Sequence, residues 1–208
     1  LTSHLCMNLS TQSMLYYCNW VLGDSIASGA AKQILVNVIG QAPMGFGVVI
    51  LWPLVRKFGK QKVTVIGFCI AVAGSLTVLL ANDRMPLVLG GLFIRSIGAL
   101  PTYVMAALLA EALDHVEEQN GFRADGFSAS VNSIMLTVVQ GVGQTILLAG
   151  ISAFGYITPE HTAQVIAQSE AMRCFFRWSF VGLPMIGYGI CAVIMLFYDI
   201  RCNIPSAE

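Results

Sequence analysis

Apolar runs about as long as a bilayer is thick recur along this 208-residue chain, at roughly residues 5–22, 33–55, 63–81, 86–112, 127–154 and 174–198. A water-soluble core has no use for so many of them, whereas about 20 apolar residues in a helix cross the ~30 Å hydrocarbon layer. In that layer backbone N–H and C=O groups must bond within their own segment, and none of the runs alternates as a barrel strand would. The expectation is an all-α, polytopic membrane protein whose six transmembrane helices form one domain over residues 1–208. Charged residues make up 11% of the chain, against about 25% in a typical soluble domain. Its net charge of zero offers no footprint for nucleic acid.

What charge there is clusters. Glu111, Asp114, His115, Glu117, Glu118, Arg123 and Asp125 crowd one short run between two apolar stretches, which places that run in a loop at a membrane face. A second cluster, Arg56, Lys57, Lys60 and Lys62, sets four cations within seven residues after the second span. With Arg123 and Arg201 on the same side, the excess of Lys and Arg marks that face as cytoplasmic, in a bacterial inner or plasma membrane. Lys32, Arg84, Arg173 and Arg177 fall on the other side, so the bias is moderate. In the external segment 155–172, Thr158-Pro159-Glu160 reads as a helix start and predicts a short surface helix. The six cysteines stand singly and read as small packing residues rather than as disulfides or metal ligands. No metal site or cofactor is expected. The chain shows no signal-peptide pattern and no initiator Met, the pattern of a fragment.

Polar side chains inside the spans carry the functional reading. Gln33, Asn37 and Gln41 recur at i, i+4, i+8 and share one helical face. Ser130, Ser133, Thr137, Gln140 and Gln144 form a longer seam in the fifth span. Two readings stand for each stripe: amide and hydroxyl glue between helices, or the wall of a water-filled, sugar-sized cavity. Arg95 lies about 13 Å into the fourth apolar run at 1.5 Å per residue, where a guanidinium must face a cavity, pair with an acid or snorkel outward. Six residues on, Pro101 removes a backbone bond and predicts a break just before Thr102 and Tyr103, and Tyr103 joins the candidate cavity set. Glu111, Asp114 and Glu117 stand at the inner end of the same span, where the helix dipole disfavours acids; Arg123 and Arg56 are the candidate compensating cations.

At these residues the chain resembles the glycoside-pentoside-hexuronide:cation symporters, the melibiose-permease-like branch of the major facilitator superfamily, in its C-terminal six helices. Ala110-Glu111-x-x-Asp114-His115-x-Glu117, followed by Arg123 and Gly126, is similar to the acidic exit of that family's tenth helix, with Glu and His in place of Asp and Tyr. Pro53-Leu54-Val55-Arg56-Lys57-Phe58-Gly59-Lys60 is similar to its turn between helices eight and nine. Val21-Leu22-Gly23-Asp24 and Phe154-Gly155-Tyr156 resemble the exits of helices seven and eleven. The resemblance implies secondary active transport of a sugar or glycoside by alternating access, driven by a proton, sodium or lithium ion. The implied partners are a sugar, the bilayer and a missing N-terminal six-helix half. It also implies that Glu111, Asp114, Glu117, Arg123 and Arg56 form a cytoplasmic charge network between the halves.

One position departs from the pattern: a lysine of the family's helix eleven falls at Thr137 here, which puts lysine-dependent coupling in doubt. An uncoupled channel or facilitator remains the alternative. An intramembrane hydrolase using Ser28 or Ser133 lacks a base, because His4, His115 and His161 fall near the start or in loops, and no catalytic residue is assigned.

Overall fold

Every described segment of the apolar runs is helical in the computed structural model, which describes residues 2–23, 25–81, 84–104, 125–161, 164–165 and 167–197. The helices are α1 (Thr2–Trp20), α2 (Ile26–Phe58), α3 (Lys60–Leu80), α4 (Met85–Ala99), α5 (Asp125–Ala153), α6 (Glu170–Arg177) and α7 (Leu183–Leu196). A 3₁₀ turn, Leu100–Tyr103, prolongs α4 around Pro101, where the sequence predicts a break. A π-helical stretch, Trp178–Gly182, joins α6 to α7 in one continuous rod. Among the described residues there is no strand.

Among the described residues, four helical stretches are long and apolar enough to cross a membrane: Lys60–Leu80, Met85–Tyr103, Ser128–Ala153 and Glu170–Leu196. A fifth forms if Ile26–Gly47 and Val49–Phe58, bent by 53°, count as one span. Pro53 accounts for the bend, because it cannot donate to the carbonyl of Val49 four residues back and its ring pushes that carbonyl aside. α1 is long enough, at 19 residues, but is rich in Ser, Thr and Asn.

Local signals set the boundaries. Ser25 caps α2 by accepting from Ser28 N at 3.3 Å, and the Ser28 hydroxyl in turn accepts from Ser25 N at 3.2 Å. Gly59, at φ +84°, makes the α2–α3 turn in a single residue, a conformation costly for any side chain. Two of the cations expected on the outer side serve the end of α1, where Lys32 Nζ donates to the Leu22 carbonyl and Arg173 Nη2 to the Val21 carbonyl at 3.3 Å. Cations placed on orphan carbonyls at the end of a helix are favoured there, which dilutes the charge bias between the faces.

The tightest contact in the bundle is α3 on α4, and small residues make it possible. Gly67, Ala71 and Gly74 on α3 face Gly91 and Gly98 on α4 and Pro101 in its 3₁₀ extension so closely that a Cβ on Gly98 would fall on the backbone of Ala71 and within 2.6 Å of the Gly67 carbonyl oxygen. Such close approach lets dispersion replace the hydrophobic force that lipid cannot supply. α3 also packs on α7, α2 on α4, and α1 on α2, α5 and α7.

Two apolar layers result. One gathers Tyr17, Val36, Leu92, Phe176 and Phe180; the other gathers Cys6, Phe68, Ala99, Leu100 and Tyr188. Cys6, Cys18 and Cys191 are buried and Cys69 and Cys174 exposed, all as free thiols; Cys202 lies outside the described residues.

The surface helix expected at Thr158-Pro159-Glu160 is not formed: residues 156–161 are irregular. A lone turn is marginal without an apolar face to bury, and side chains take its backbone groups instead. Gln168 bonds both the N–H and the carbonyl of Ile157, at 3.2 and 2.7 Å, and Gln164 Oε1 accepts from Glu160 N at 2.8 Å. Tyr156 anchors this segment to α1 by accepting from Trp20 Nε1 at 3.1 Å, and partial burial raises its phenol above the usual value.

Candidate functional site

Between the two apolar layers lies a polar stratum. Along α1 it falls at Ser10, between Cys6 and Tyr17; along α4 at Arg95 and Ser96, between Leu92 and Ala99; along the last rod between Phe180 and Tyr188. A cavity of about 80 Å³ opens there, with Ser10, Thr11, Gln41, Arg95, Ser96 and Tyr188 as its polar lining. Met7, Met14 and Met44 supply flexible, polarizable wall between them.

Arg95 organises this stratum. Its Nη1 donates to the Phe180 carbonyl at 3.2 Å, its Nη2 donates to Ser10 Oγ, and Ser10 Oγ donates to the same carbonyl at 2.9 Å. The guanidinium also lies 5.3 Å from the centre of the Phe180 ring. Among the described residues its partners are a carbonyl, a hydroxyl and an aromatic face, not a carboxylate.

Residue 184, four positions on, is proline, so this carbonyl is spared one backbone competitor. In a regular helix the N–H of residue 184 would bond it, and Pro184 has none. The neighbouring π stretch, of a kind common at functional sites, is where α1 and α4 reach the freed oxygen. Ser96 is the complementary case. Ser75 and Thr64 donate to carbonyls four residues back, at 2.8 Å each, but the buried Ser96 hydroxyl lines the cavity with no protein partner. A buried hydroxyl left without a partner is unusual and sets this wall apart.

Of the candidate residues named from sequence, the structure brings Gln41 and Arg95 to this cavity. Asn37 accepts from Gln41 Nε2 at 3.2 Å, and Gln33 sits one turn further back, half-buried. Tyr103 is exposed in the 3₁₀ turn, away from the cavity lining. Ser133, Thr137, Gln140 and Gln144 are exposed on α5, outside the cavity, and the Ser133 and Thr137 hydroxyls donate to carbonyls of their own helix. α5 leans chiefly on α1, where Gly143 leaves room for the amides of Asn8 and Gln12. Arg56 is exposed at the α2–α3 turn, while Glu111, Asp114, Glu117 and Arg123 lie outside the described residues.

Sequence reasoning passed over Ser10, Thr11, Ser96 and Tyr188. The signal for the first two was α1's excess of hydroxyls.

A bundle of apolar helices with a polar stratum at mid-depth fits a solute path, and the comparison with known sequences names the group. Residues 1–201 match the family described as MFS/sugar transport protein. The chain belongs to that family. It is thus a multi-pass membrane protein of a transporter family, not an enzyme, and the resemblance to the melibiose-permease-like branch holds.

Among curated relatives, the isoprimeverose transporter of Lactiplantibacillus pentosus is 23% identical over 200 residues, which cover 94% of this chain and 39% of the relative. The uncharacterized symporter YjmB of Bacillus subtilis (strain 168) is 24% identical over 185 residues, covering 88% of this chain and 39% of the relative. The chain therefore spans well under half the length of these MFS relatives. No solved structure matches it.

Proposed function

We propose that this chain forms the C-terminal six-span half of a sugar:cation symporter of the cell membrane, and that the cavity around Arg95 is one wall of its sugar site. The observation that carries the reading is the polar stratum itself: Ser10, Thr11, Gln41, Arg95, Ser96 and Tyr188 line one hollow between apolar layers. A sugar is a ring of hydroxyls, and these side chains donate to and accept from hydroxyls while the methionines meet the ring's C–H faces.

At about 80 Å³ the hollow holds several waters but falls short of the roughly 300–1,000 Å³ of a complete small-molecule site. The reading assigns the opposite wall to the other half. The exposed hydroxyls and amides of α5 at Ser133, Thr137, Gln140 and Gln144 suit a helix that closes against such a partner, and Gln33 and Asn37 extend the α2 wall.

α1 counts as the sixth span here, because Ser10, Ser13 and Asn19 are buried within the bundle and do not face lipid. Alternating access then rocks this half against the other about the site. Arg95 ties α4 to α1 and to the last rod, so the wall moves as one body. At the cytoplasmic end Arg56 and Arg123 would pair with Glu111, Asp114 and Glu117 when the halves close, and a proton, sodium or lithium ion would supply the driving gradient.

Uptake by the full-length protein in proteoliposomes tests the reading. Accumulation of a labelled glycoside such as isoprimeverose above the external concentration, collapsed by an ionophore, is the expected result. Equilibration without accumulation would instead establish the uncoupled facilitator, and the absence of sugar flux would remove the transport reading. For the charge network, Asp114→Arg and Arg123→Asp should each cut uptake about tenfold or more, with partial recovery in the double swap. Full uptake in both single variants would show that the two do not pair.

A further inference from the structure

α2 and α3 adjoin in sequence through one glycine yet barely touch, because the bend in α2 carries it away and α4 forms the floor between them. This leaves an apolar groove of about 590 Å³, walled by Phe46, Ile50 and Leu54 of α2 and by Ile66 and Ile70 of α3, over Phe93 and Ile97 of α4. All of these side chains are substantially exposed. From Val63 to Ile70 along α3 the groove runs roughly 11 Å, which keeps it inside the ~15 Å of a single leaflet.

One end of it adjoins the densest positive charge among the described residues. Phe58 and Val63, the last lining residues at that end, bracket the turn that carries Lys60 and Lys62, and Arg56 and Lys57 directly precede Phe58 on α2. Lys57 Nζ stands 5.5 Å from the centre of the Phe58 ring, so one cation is held over the aromatic that closes the groove.

We propose that this groove binds one anionic phospholipid of the leaflet on the basic side, an acyl chain between α2 and α3 and the phosphate on Arg56 and Lys57. A basic pocket between helices at the cytoplasmic face is a setting that suits an anionic headgroup. The assignment does not depend on which solute the protein carries. A bound lipid would brace the splayed α2–α3 pair against α4, at the end of the bundle where the two halves are proposed to close.

Native mass spectrometry of the full-length transporter, released from nanodiscs of mixed phosphatidylcholine and phosphatidylglycerol, reads out the site. The parent protein should retain phosphatidylglycerol in preference to phosphatidylcholine. Since each cation near an anionic surface is worth roughly a five-fold change in affinity, the double variant R56Q/K57Q should lose at least about tenfold of that preference. Filling the groove with I66W/I70W should abolish retention with the charges intact, with both variants checked for monodisperse elution.

Equal retention of the two lipids by the parent overturns the proposal. So does undiminished phosphatidylglycerol retention by I66W/I70W, which would leave only headgroups on a basic surface. If retention appears only after Glu117→Gln and Glu118→Gln, the acidic run of this chain is the natural partner of the turn, and the proposal falls.

Discussion

Arg95→Ala in the full-length protein is expected to reduce sugar uptake by about 30-fold or more. The substitution leaves the Phe180 carbonyl with Ser10 alone, removes the donor that orients the Ser10 hydroxyl, and strips the cation from the Phe180 ring. A hydrogen bond to a charged group is worth roughly 1.5–3 kcal/mol, and losing the two that Arg95 makes covers the expected loss. Arg95→Lys should recover only part of it, because an ammonium lacks the planar fork that serves the carbonyl and the hydroxyl together. Initial rates in proteoliposomes, paired with thermal unfolding in detergent, separate a damaged site from a damaged fold. Uptake at the parental rate by Arg95→Ala would remove this residue from the solute path.

Gly98→Leu should be the most damaging single change to stability. The new side chain meets main-chain atoms of α3, at Ala71 and Gly67, which have no rotamer to yield. Overpacking of this kind typically costs 1–3 kcal/mol and more where backbone must move, so a loss of at least about 3 kcal/mol is expected, read as a lowered unfolding midpoint. Gly90, on the same helix with nothing within 4 Å of where its Cβ would stand, is the control. Gly90→Leu should fall within about 0.5 kcal/mol of the parent. Equal midpoints for the two variants would show that α3 and α4 are not in close contact.

Much of this was legible from residue types. The apolar runs predict where helices lie, since a backbone without water has few alternatives. Pro101 predicts the break that appears as a 3₁₀ turn, and the depth of Arg95 demands a polar surrounding that the structure supplies. Two things were hidden for a physical reason. The partner of Arg95 is a main-chain carbonyl, which every residue has, so no side-chain pattern advertises it; only Pro184, read as the loss of one donor, could have pointed to Phe180.

The α3–α4 seam left a plain signal in the spacing of Gly67, Ala71 and Gly74, but spacing alone does not say which helix comes to meet it. Conversely, the polarity that makes α1 look like a weak span comes from Ser10, Ser13 and Asn19, which the bundle buries. A motif can also mislead: Thr158-Pro159-Glu160 has the chemistry of a helix start without an apolar face to hold a helix in place.

Because the oxygen that holds Arg95 belongs to the peptide unit of residue 180, side-chain drift at that position cannot erase it. The information is written instead at position 184, where any residue other than proline would bring a competing amide. A chain of this kind can therefore exchange the phenyl ring for another bulky group and keep its anchor, while a change one helical turn away would set an amide in competition with the guanidinium without touching it.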